Sequence, residues 1–133
     1  MPTPANLGDV MKTSDMVIEK AYAKANTTIT KGMAVCNDGS GFVPATAALA
    51  ATYKVYIARE NKPAADPDRA FMVLEKGVIV AQKTTGTAVV QGQKAAVSAT
   101  TAGQLIAFAA TNDLVGTCYK PAASTDTQLW IRL

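Results

Sequence analysis

The sequence predicts an all-β fold: a compact small barrel or sandwich of eight to ten short strands, with an extended N-terminal arm and at most one short helix. Three observations carry this. First, turn residues interrupt the apolar runs too often for helices to fit between them. In Leu74–Val97 the runs Val78–Val80, Ala88–Val90 and Ala95–Val97 are set off by Gly77, Gly86 and Gly92. Glycine suits tight turns and strand ends because it accepts positive φ. Second, Tyr53, Val55, Ile57 and Arg59 alternate against Lys54, Tyr56 and Ala58, which is the period of a strand. Third, the chain is 49% hydrophobic but only 6% aromatic, so the core is expected from Val, Ile, Leu and Ala.

At 133 residues the chain reads as one β domain, 15–133, behind an arm, 1–14. Such a chain buries about two thirds of its unfolded surface and needs no disulfide or metal to fold. The arm contains Pro2 and Pro4, which donate no backbone hydrogen bond, and Gly8. Leu7, Val10 and Met11 give it a few apolar side chains, spaced to dock against something else.

Val17–Ala25 mixes Ala and Lys with an alternating pattern. The β-branched Thr27-Thr28-Ile29-Thr30 that follows favours strand. Lys31-Gly32 reads as a turn and Met33–Cys36 as a strand. Asn37-Asp38-Gly39-Ser40-Gly41 is a hairpin signal, returning through Phe42 and Val43 to Pro44. Ala45–Thr52 is the one place for a helix. Asn61–Asp68 is the longest loop, and Arg69–Glu75 the next strand. Leu105–Ala109, Leu114–Tyr119 and Leu129–Leu133 supply three more, the last a candidate exposed edge. No repeat of a fixed period is apparent.

Several chemistries are disfavoured by composition. The net charge is +3, from 13 basic and 10 acidic residues, with Lys and Arg scattered singly and no basic stripe for nucleic acid. No stretch reaches the roughly 18 apolar residues of a membrane span, and no signal peptide is apparent, so a soluble chain is expected. The absence of histidine removes Ser-His and Cys-His nucleophile systems and the commonest metal ligand. Cys36 and Cys118 lack metal-site spacing and read as buried free thiols. Asp66-Pro67-Asp68 reads as a solvated acidic loop flanked by Lys62 and Arg69. Asn37–Gly41 resembles the start of a calcium loop but lacks a third acidic ligand and the distal Glu. No phosphate-binding Gly-Lys-Ser/Thr segment is present. The expectation is therefore no enzyme, with no catalytic, cofactor-binding or metal-ligating residue and no cofactor.

Contact surfaces are the remaining functional candidates. Trp130, the one tryptophan, shares a strand face with Arg132, and both residue types are enriched at interface centres. Leu7, Val10 and Met11 are candidate contacts from the arm.

The order of elements carries a family resemblance. Lys31-Gly32-Met33-Ala34-Val35, Glu75-Lys76-Gly77-Val78-Ile79-Val80, Gly86–Lys94, Gly103, Leu114-Val115-Gly116 and Leu129-Trp130-Ile131-Arg132-Leu133 together resemble the small capsid cement, or decoration, proteins of tailed bacteriophages. The resemblance spans roughly residues 27–133. It implies a compact β fold, a homotrimer on the outer capsid surface of the virion, the major capsid protein as partner, and no catalysis. It implies synthesis in the host cytoplasm and names no functional residues. Two other classes suit the same sequence. One is a phage tail or baseplate subunit. The other is a biotinyl- or lipoyl-like carrier module, although Lys76 and Lys94 do not sit in the Met-Lys-Met hairpin of such carriers.

Overall fold

A computed structural model describes residues 6–66, 69–107 and 114–133. The strands are β1 (Val10–Tyr22), β2 (Ala34–Asn37), β3 (Phe42–Pro44), β4 (Tyr56–Ala58), β5 (Ala70–Gln82), β6 (Lys94–Val97), β7 (Leu105–Ala107), β8 (Leu114–Lys120) and β9 (Gln128–Arg132). They form one sheet in the order β3-β2-β4-β5-β9-β8-β6-β7, with β1 also on β5. All strand pairs are antiparallel. The fold is therefore the expected all-β, barrel-like one, with a single short helix among the described residues, α1 (Ala47–Ala50), inside the Ala-rich segment. Thr46 caps α1: its hydroxyl accepts from Leu49 N–H at 3.1 Å.

Strand β5 organises the molecule. One edge pairs with β1 along Ala70–Ile79; the other pairs with β4 at Val73–Leu74 and with β9 at Val78–Gln82. The expected short strand at Val78–Val80 is thus the second half of a 13-residue strand that runs through Gly77. Leu129–Leu133 is not an edge. Strand β9 lies between β5 and β8, so both of its sides are hydrogen-bonded. Tyr53–Arg59 is extended only at β4, because Thr52 and Tyr53 N–H still donate to Leu49 C=O behind α1. Ala88–Val90 is not a strand; Val89 makes an isolated bridge to Ala122.

The chain repeats itself, contrary to the sequence reading. β1 and β5 begin 60 positions apart, as do β2 and β6. Gly32 N–H donates to Ala58 C=O, and Gly92 N–H to Cys118 C=O. Ile29 bridges Lys62, and Val89 bridges Ala122. Each half closes on itself by a parallel bridge: Ala23 with Phe42 on β3, Lys83 with Leu105 on β7. Each half is thus a ring of five strands, and β5 belongs to both. The cores correspond. Ala21, Ile29, Val35, Ala58, Phe71 and Val73 fill the first half. Ala81, Val89, Ala95, Cys118, Leu129 and Ile131 occupy the matching places in the second, within a larger cluster that continues between the halves. Among the described residues Phe71 is the one aromatic side chain that is fully buried, in keeping with the lean composition.

The expected hairpin after β2 is present. Asn37 Oδ1 accepts from Gly39 N–H and Asp38 Oδ1 from Ser40 N–H, both at 2.9 Å. Gly41 is required there: φ is +143°, and a Cβ would lie 2.7 Å from Lys24 N.

The domain boundary between residues 14 and 15 falls inside β1. Residues 6–9 form a turn, in which Asp9 N–H donates to Asn6 C=O, and residues 10–14 extend, but along their own sheet. Gly8 N–H donates to Val80 C=O at 2.8 Å, and Val80 N–H to Asp9 C=O at 3.0 Å. The physical reason is that the β5 edge offers backbone groups that this segment satisfies. Residues 1–5 lie outside the described part.

Candidate binding surface

The strongest candidate surface is the outer face of β8 and β9. In β9, Leu129 and Ile131 point into the core, so Trp130 and Arg132 point out. In β8, Cys118 is core and pairs with Ile131, but the register then shifts, and Lys120 rather than Tyr119 pairs with Trp130. This bulge leaves two consecutive residues, Tyr119 and Lys120, exposed. The Cys118 thiol donates to Lys120 C=O at 3.0 Å within it.

Two cation–π pairs result. Lys120 Nζ lies 4.8 Å from the centre of the Trp130 ring, and the Arg132 guanidinium 5.3 Å from that of Tyr119. Each ring is thereby held between strands with an exposed cation beside it. Beside Trp130 is an open depression of about 370 Å³, lined by Lys120, Pro121, Asp126, Thr127, Gln128 and Trp130. The Asp126 carboxylate accepts from Ala123 N–H at 2.8 Å and so shapes the adjoining turn.

The sequence candidates fall in two places. Trp130 and Arg132 come together as expected. Leu7 instead packs on Gly32, where an added Cβ would meet its Cδ2 at 3.0 Å. Val10 packs against the main core, in register with Ile79 and, through it, Ile131. Met11 lies in β1. Tyr119 and Lys120 were missed. The signal available was two consecutive non-core residues just before Pro121, where strict alternation breaks.

Charges of the first half differ. Lys54 pairs with Glu75 at 3.3 Å and stands over Tyr56 at 5.5 Å. Glu19 lies beside Glu75. Its hydrogen bond with that carboxylate raises the Glu19 pKa, and the same bond, with Lys54, lowers that of Glu75.

Cys36 and Cys118 are buried and free. Burial pushes both thiols up, assisted at Cys36 by the Asp38 charge, so neither is primed as a nucleophile. Among the described residues no group of three or more Cys, Asp or Glu side chains is placed to hold a metal ion. Nor is any helix among them long and apolar enough to cross a membrane. The lysines considered for a carrier role lie within β5 (Lys76) and at the start of β6 (Lys94), not at a hairpin tip. No protein-family model matches this chain, and no match is found among curated proteins.

Proposed function

We propose that this chain is a structural cement protein of a phage head. It binds the outside of the assembled shell, bridges neighbouring major capsid proteins and acts as a homotrimer. The observation that supports the reading best is the Tyr119, Lys120, Trp130 and Arg132 face. It offers aromatic area and two cations on paired strands, and so suits a partner surface bearing carboxylates. The resemblance in the order of elements supplies the identity of that partner.

The mechanism is multivalency. A trimer held on one shell subunit presents its second and third sites at high effective concentration, so separating the subunits requires breaking several contacts at once. Outward pressure from packaged DNA would be opposed by such bridges. Heads with and without the protein should therefore differ in resistance to heat and chelator; equal resistance would end this reading. Binding to tails instead of heads would reassign the protein to the tail.

A further inference from the structure

We infer that the repeat is built around two equivalent ammonium cages, one per half, each filled by a lysine delivered from a different position. Lysine is rarely buried, yet Lys62 and Lys83 are 3% and 2% exposed. Lys62 Nζ donates to Pro63 C=O at 2.7 Å and Asp66 C=O at 3.0 Å. Lys83 Nζ donates to Thr84 C=O at 3.0 Å and Asp126 C=O at 3.3 Å. Asp66 and Asp126 are repeat equivalents. Each closes a turn, through Asp66 N–H to Pro63 C=O and Asp126 N–H to Ala123 C=O, and each turn follows a bridge to Ile29 or Val89.

The lysines are not equivalent to each other. The counterpart of Lys62 is Ala122, which bridges Val89 as Lys62 bridges Ile29. The counterpart of Lys83 is Ala23; each makes the parallel bridge that closes its half. Each half therefore carries one lysine and one alanine at the two positions, in opposite order. What the repeat preserves is an ammonium on the turn carbonyl of Asp66 or Asp126; its second acceptor, Pro63 or Thr84, is in each case the carbonyl next after the lysine. The side chain that brings it varies. The physical reason is that carbonyls gathered in a turn with little water need a donor, and a cationic one makes stronger hydrogen bonds than a neutral one. In the second half the cage also holds the turn forming one wall of the depression beside Trp130.

The test exchanges the delivery routes, using the full chain and thermal unfolding followed by circular dichroism. Lys83→Ala should lower Tm by about 5 °C or more. Adding Ala122→Lys to Lys83→Ala should raise Tm again, and above that of Lys83→Ala with Ala122→Met, which restores buried volume without the ammonium. In the first half, Lys62→Ala should be recovered by Ala23→Lys and not by Ala23→Met. If the relocated lysine is no better than methionine in either half, the equivalence is overturned. It is also overturned if the relocated lysine unfolds a chain that the alanine variant leaves folded. Should Lys83→Ala alone fail to fold, folding of its Ala122→Lys partner supports the inference and failure of both counts against it.

Discussion

Lys120 Nζ sits 4.8 Å from the ring centre of Trp130, on the neighbouring strand, although strict alternation would turn one of Tyr119 and Lys120 inward. The bulge after Cys118 makes the pair, and the pair gives the outer face a cationic aromatic character. As Trp130 is the one tryptophan, its fluorescence reports on this site alone. Relative to free tryptophan, the ratio of iodide to caesium quenching should be raised, because Lys120 and Arg132 concentrate anions there. Lys120→Glu should lower that ratio, and an unchanged ratio would dissociate Lys120 from the ring. The coupling of Lys120 and Trp130 in a double-mutant cycle should be about 0.5–1 kcal/mol, as for an exposed cation–π pair.

Gly116 connects fold and surface. A Cβ there would collide with Arg132 C=O and approach Ile131 Cγ1 at 3.0 Å. Gly116→Ala must therefore push β8 from β9. A loss of about 2 kcal/mol or more in urea unfolding is expected, along with a changed Trp130 emission. Gly86→Ala, which meets no atom within 4 Å, tests backbone strain alone at its φ of +111°. It should cost less, roughly 1 kcal/mol.

The arm is part of the domain in its described portion. Deleting residues 2–14 would remove the Gly8–Val80 and Asp9–Val80 hydrogen bonds and the pairing of Val10 and Lys12 with β5. The truncated chain should unfold at a clearly lower urea concentration than the full chain. A truncation with unchanged midpoint would mean that these contacts contribute nothing to stability.

Glu19 and Glu75 make a small pH dependence with a definite sign. The folded-state pKa of Glu19 is raised, so its contribution is fully present below its unfolded value of 4.5 and is lost as pH rises through the folded pKa. That of Glu75 is lowered, so its contribution is present above 4.5 and is lost as pH falls through its folded pKa. Glu19→Gln removes the titration of Glu19, while the new amide can still donate to Glu75 and Lys54 still pairs with it. It should raise Tm slightly at pH 7 and leave it nearly unchanged at pH 4. A loss of stability at pH 7 would show that the Glu19 charge has a partner that outweighs Glu75.

Much of the fold was legible because local rules coincide with it. The Asn37–Gly41 turn chemistry gave the β2–β3 hairpin, and the Ala-rich segment after Pro44 gave α1. The repeat was not legible. Between 10–37 and 70–97 only Ala21/Ala81, Thr27/Thr87 and Gly32/Gly92 are identical. A β ring asks only for small or apolar residues inside and a few turn geometries, which many sequences satisfy. Asn26 at φ +61° fills the place that Gly86 takes in the second half. The buried lysines were hidden for a similar reason. Lys62 reads as a solvated flank of an acidic loop until the turn carbonyls that receive its ammonium are seen. At the surface, Trp130 and Arg132 were legible from alternation, whereas Tyr119 and Lys120 depend on a bulge whose one local sign is the break in alternation before Pro121.

The most direct measurement is saturation binding of labelled protein to stripped, expanded heads, with the Lys120→Glu, Arg132→Glu variant as competitor. Wild-type chain should bind saturably, in a fixed ratio to the major capsid protein. The charge-reversed variant should compete at least tenfold more weakly, with its circular dichroism unchanged. Absence of wild-type binding to heads, or equal competition by the charge-reversed variant, would contradict it.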